Sequence, residues 1–221
     1  MNTQNKAITR EEFLDKKRDY SPLLVHLTRA DDIFPAKEVL KIILNEKTLR
    51  AYHYYCLFDS DIVSLSNSTQ DIFKVTCFTE TPIDQIDILL NEVYGRDFKF
   101  ESYGLVFTKD YIKNKEGNPV FYVDVNMFDS LWKLYNDAKG RNFSLRDNKV
   151  LAVINKCDEK IDFHWEREWR IVGNLEFEYN EVFCGLCPEG DIQEFEFLFK
   201  PVKFISPHWG INKILYKLVG K

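Results

Sequence analysis

The run "AKEVLKIILNEK", from Ala36 to Lys47, constrains the fold more than any other stretch of the chain. Val39, Leu40, Ile43 and Leu44 recur at helical spacing and make one apolar stripe, so the segment predicts an amphipathic helix. "LLVHLTR" before it predicts a buried strand, and "TLRAY" after it a short one. A helix placed this tightly between strands must bury its stripe against a sheet, which leaves layered α/β or α+β architectures.

The same mixture continues to the end of the chain. Thr9 and Glu12 match a capping box and predict a helix through about Lys17, ended by Ser21-Pro22. Residues 52–73 have no clean period and predict loop with a helical turn. "KVTCFTETP" predicts a strand that stops at Pro82. Ile83, Ile86, Leu89, Leu90 and Val93 then predict a second amphipathic helix, terminated by Gly95. "YGLVFTKDY" and "VFYVDV" predict strands around a turn at "KEGNP". "MFDSLWKLYNDAKG" predicts a helix closed by Gly140. "WRIVG", "LEFEY", "EVFCGL" and "KFISP" predict late strands, and "WGINKILYKL" a final helix. With 221 residues and no repeat or linker, the expectation is one α+β domain over 1–221, with central mixed or antiparallel sheets and flanking helices.

Charge and motifs narrow the function. With 30 Lys+Arg against 35 Asp+Glu the net charge is −5, so the overall field does not gather nucleic acid or anionic lipid. The longest apolar runs fall far short of the ~20 residues of a membrane span, and the N-terminus has no apolar signal-peptide centre. A cytoplasmic protein with no membrane partner is expected. The five cysteines are odd in number and widely spaced, which predicts reduced thiols. "CGLC", Cys184 to Cys187, is half of a zinc pattern without its other half, so no metal is expected. Phosphate-loop, GxSxG and HExxH motifs are absent from the sequence.

Two features carry candidate chemistry. His26 lies inside the first strand pattern, where a solvated or core-facing role is the common one. "WEREWRI", Trp165 to Ile171, contains Glu166 and Glu168, which a strand projects from one face. Arg167 points the opposite way, whereas Arg170 shares the Glu168 parity, either as a phosphate ligand or as the counter-ion that quenches Glu168. The bland alternative is an ion-paired structural edge in a non-catalytic binding domain.

Taken in order, "LVHLTR", "EVLKIIL", "TLRA", "CFTETP", "YGLVFTKDY", "GNPVFYV" and "EREWRI" resemble the bacterial AbiGi family over about residues 23–173, with 174–221 continuing the same domain. That resemblance implies an antitoxin-like component of a two-gene abortive phage-infection system, acting through contact with a cognate protein. A wider similarity in motif order, to ADP-ribosyltransferase-like folds including the DarT toxins, implies a second reading: an NAD-dependent ADP-ribosyltransferase, with nucleic acid or protein as substrate. Under it His26, Glu166 and Glu168 are the catalytic candidates, with Glu168 the catalytic carboxylate. His26, Thr28, Thr79, Tyr103 and Arg170 line an NAD cleft, with Tyr103 or Trp169 stacking on nicotinamide. A carboxylate there stabilises an oxocarbenium-like centre and orients the nucleophile. That reading expects Glu168 to face His26 across a cleft. "CFTETP" departs from the usual Ser-Thr-Ser central motif.

Overall fold

The computed structural model describes residues 20–53, 62–64, 66–91, 99–139, 149–157 and 164–220. The expected helix at 9–17, most of the loop around 54–61, and the terminators Gly95 and Gly140 with Val93 lie outside the described residues.

Among the described residues the strands are β1 (Leu23–Leu27), β2 (Thr48–Leu49), β3 (Val75–Thr79), β4 (Gly104–Thr108), β5 (Asn118–Pro119), β6 (Phe121–Val123), β7 (Ile154–Lys156), β8 (Glu168–Val172), β9 (Leu175–Glu176), β10 (Cys184–Leu186) and β11 (Phe204–Ile205). The helices are α1 (Ala36–Glu46), α2 (Asn67–Gln70), α3 (Ile86–Leu89), α4 (Lys109–Asn114), α5 (Val125–Lys139), α6 (Ile192–Leu198) and α7 (Ile211–Val219). A seven-stranded sheet runs β11-β10-β4-β1-β3-β8-β5, and β2-β9 and β6-β7 form two-stranded sheets beside it. Within the large sheet the β10–β11 pair is parallel and the other pairs are antiparallel. This is the mixed α+β architecture that the interleaved periods predict.

Strand alternation divides the core. Leu24, Phe78, Leu105, Phe107, Trp169 and Ile171 project from one face of the sheet, where Leu40 and Leu44 of α1, Ile112 of α4 and Phe195 of α6 cover them. The opposite face carries two clusters. Val25, Leu27, Val106 and Cys184 pack under Ile86 and Leu89 of α3 and Ile214 of α7. Val75, Cys77 and Val172 pack with Val123, Tyr135, Leu151, Ala152 and Ile154. The stripe predicted in α1 is buried as expected, and Lys47 ends the helix in the left-handed conformation, its N–H reaching Ile43 O and Leu44 O.

Local chemistry corrects several expectations. "KDY" is not strand: β4 ends at Thr108, whose hydroxyl accepts from Tyr111 N–H and caps α4, which starts at Lys109. The Glu166–Glu168 strand is also shorter than expected. His164–Glu166 is a 3₁₀ turn, Arg167 has φ 48°, and β8 begins only at Glu168. The alternation that would align the two glutamates is broken at Arg167. Gly104 sits against the His26 carbonyl, where a Cβ would clash, so β1 and β4 approach closely there. Among the described residues no helix is long and apolar enough to cross a membrane.

Candidate functional site

The motif strands lie side by side. β1, bearing His26, borders β3, which borders β8; the cross-strand partners are Val25 with Thr79 and Thr79 with Glu168. Residues directly opposite one another share a face. Val25, Thr79 and Glu168 therefore point to one side, and His26, one residue on from Val25, points to the other. The expected convergence of His26 and Glu168 does not occur, because their positions have opposite parity in the sheet.

Glu168 is enclosed by donors. The Arg170 guanidinium donates through Nε to Oε1 at 2.8 Å and through Nη2 to Oε2 at 2.9 Å. Tyr122 of β6 donates its hydroxyl to Oε2 at 2.5 Å. Only 2% of the Arg170 side chain and 11% of the Glu168 side chain remain exposed. Arg170 Nη1 also donates to Ala152 O at 3.0 Å. The parity that places Arg170 beside Glu168 has thus produced a counter-ion. Burial alone would lower the Arg170 pKa, but the charge and hydrogen bonds of Glu168, with Cys77 and Tyr122, together outweigh it and hold the guanidinium above its ordinary range. Burial and then Glu168 push the Tyr122 hydroxyl up. Cys77, opposite Arg170, is also raised, by burial first and Glu168 second. The Glu168 carboxylate, held by a bidentate guanidinium and a phenol, already has its charge balanced.

The other candidates are engaged in different places. His26 Nδ1 lies 2.8 Å from Cys77 O and must carry the proton in that bond, since a carbonyl only accepts. Its ring meets Phe78 edge-on at 5.8 Å, and burial lowers its pKa, partly offset by that hydrogen bond. Thr28 donates to Tyr103 O at 3.1 Å. The Tyr103 hydroxyl donates to Asp191 at 2.7 Å, and its pKa is raised by burial and then by that bond. Thr79 donates to Glu166 O at 2.5 Å and lies 2.8 Å from the Thr81 hydroxyl. Of the motif's indoles, Trp165 is 40% exposed, whereas Trp169 is 8% exposed in the core.

A second acid centre lies on the His26 face. Glu80 receives Lys109 Nζ at 2.7 Å, Trp169 Nε1 at 2.8 Å and Arg167 Nη2 at 3.3 Å. Lys109 is 4% exposed, with its ammonium 4.1 Å from the Tyr20 ring centroid and 5.6 Å from that of Trp169. Burial lowers its pKa, with Glu80 acting in the opposite sense. Glu80, Lys109 and Tyr122 escape a motif-based reading. For Glu80 a signal existed: it shares the parity of core-facing Phe78, and an acid at such a position demands a cation. Nothing local to Tyr122 announces a partner 46 residues away.

Cys184 and Cys187 are both buried but belong to different clusters, on opposite faces of the sheet. Burial raises both thiols, Cys187 to about 12. Among the described residues no group of three or more His, Cys, Asp or Glu is placed to hold a metal ion. No family model, curated protein or solved structure matches the chain.

Proposed function

We propose that the chain acts by contact with a partner macromolecule, as a component of an abortive-infection system of the kind its AbiGi-like motifs imply, in the cytoplasm and without a transferase step of its own. The observation that carries this reading is the enclosure of Glu168. Its carboxylate is matched by Arg170 and Tyr122, and His26 lies on the opposite face of the sheet. Neither side chain is available to the other.

The adjacency of β1, β3 and β8 favours a second reading, because it sets the His-bearing, hydroxyl-bearing and Glu-bearing strands in neighbouring places. For an NAD-dependent ADP-ribosyltransferase, the Arg170 pair would have to open and release Glu168. Calorimetric titration of NAD into the wild type and the His26→Ala and Glu168→Gln variants separates the two. The contact reading expects no saturable heat, meaning any Kd is weaker than about 1 mM. Saturable wild-type binding that is lost in His26→Ala puts the transferase first. In parallel, co-expression with the product of an adjacent gene should give a complex of fixed stoichiometry. Failure to form one removes the contact reading in that two-gene form.

A further inference from the structure

The hydrophobic interior around α5, β6 and β7 is separate from the rest of the core. Val123, Tyr135, Leu151, Ala152 and Ile154 form a buried cluster with Ile62, Phe73 and Val75, and Cys77 and Val172 of the large sheet pack against it. β6 and β7 pair with each other in parallel and do not join the seven-stranded sheet. The main-chain bond of Val120 N–H to Glu168 O, at 2.9 Å, brings the chain to the edge of β8 just before β6 begins. Apolar packing of this kind holds elements together but discriminates weakly between one seating and a neighbouring one.

The polar groups at this junction are directional. Tyr122 reaches from β6 to Glu168 on β8, and Arg170, beside it, reaches from β8 to the Ala152 carbonyl in the 149–153 turn. The same guanidinium closes on Glu168. One buried ion pair is thus bonded to two separate points of the α5–β6–β7 lobe. A shift of the lobe along β8 breaks both bonds and strands buried polar groups, an outcome far more costly than sliding one apolar surface on another.

We infer that Tyr122, Glu168 and Arg170 form a docking latch, which fixes the α5–β6–β7 lobe in one position on the sheet and whose breakage lets that lobe separate as a unit. Cooperative sub-global openings of this kind are the expected behaviour of a lobe with its own small core. The inference is independent of what the chain binds, since it concerns only how the two parts are joined.

Hydrogen exchange on the full chain, read by mass spectrometry, tests it. In Arg170→Met the amides of β6, β7 and the 149–153 turn should exchange roughly a hundredfold faster or more, as befits an uncompensated buried charge. The amides of β1 and β4 should accelerate by no more than the loss of global stability and stay the better protected set, because the lobe opens below the global limit. Tyr122→Phe should give a smaller acceleration in the same segments. The double variant Glu168→Leu with Arg170→Met removes both charges and should recover much of the lost protection. Lobe amides that open at the same free energy as those of β1 and β4, in the wild type and in Arg170→Met alike, or no acceleration in the lobe, overturn the latch. If Arg170→Met does not fold, Tyr122→Phe decides by the same localisation.

Discussion

Glu80 and Glu168 stand on opposite sides of the same two strands, and both are nearly removed from water, yet they are satisfied in different ways. Glu168 is matched by one guanidinium in bidentate geometry and by a phenol. Glu80 draws a lysine, an indole N–H and a more distant arginine from three directions. The charge of "WEREWR" is divided between them: Arg167 and Trp169 serve Glu80, and Arg170 serves Glu168. The cations and the indole of this motif balance two interior acids, one on each face of the sheet. Density of charge in a strand therefore points to what the strand must neutralise, before it points to a substrate.

This comparison ranks the effects of breaking each centre. Arg170→Met removes the guanidinium paired with Glu168 and should cost about 3–5 kcal/mol in urea unfolding, the usual penalty for stranding a buried charge. Lys109→Met leaves Glu80 with Arg167 and the indole, so its cost should be smaller, about 1.5–3 kcal/mol. Equal losses, or the reverse order, would show that the redundancy around Glu80 is not energetic. Trp169→Phe keeps the ring in the core but deletes one donor to Glu80, and should cost about 1 kcal/mol in the same measurement. A loss as large as that of Lys109→Met would make the indole, and not the ammonium, the main partner.

Much of the fold was legible because it depends on period. The α1 stripe, the first strand and the final helix follow from spacing alone, and each is where the spacing places it. The "KDY" segment misleads because a capping threonine outweighs strand-like neighbours. The helix α6 has no counterpart among the expected elements, although its buried residues Ile192, Phe195 and Phe199 follow a helical interval. The site was less legible. Parity predicted that Arg170 would accompany Glu168, and it does. Whether His26 and Glu168 share a face depends on the register of β1 on β3 and of β3 on β8, and one residue of register moves every side chain to the other face. That information lies in pairing between distant segments, beyond the reach of local spacing.

The smallest effect at neutral pH should come from His26, on the Glu80 side of the sheet. Its ring is held by Cys77 O and Phe78, and burial disfavours the protonated form in the folded chain. Because the folded pKa lies below the unfolded value of about 6.5, the two states bind the same number of protons well above that value and His26 contributes no slope there. As pH falls below about 6.5 the unfolded chain takes up a proton that the folded chain resists. Stability then declines, by no more than one proton's worth, about 1.4 kcal/mol per pH unit. Comparing the unfolding free energy of the wild type and His26→Gln from pH 7.5 to 5 isolates this term, with the background of the other titrating groups common to both. The wild type should lose stability faster than the variant below pH 6.5 and run parallel to it above. Parallel curves throughout would mean that His26 is protonated as easily in the fold as in the open chain, and that its face of the sheet admits charge which the Glu80 centre would then have to balance.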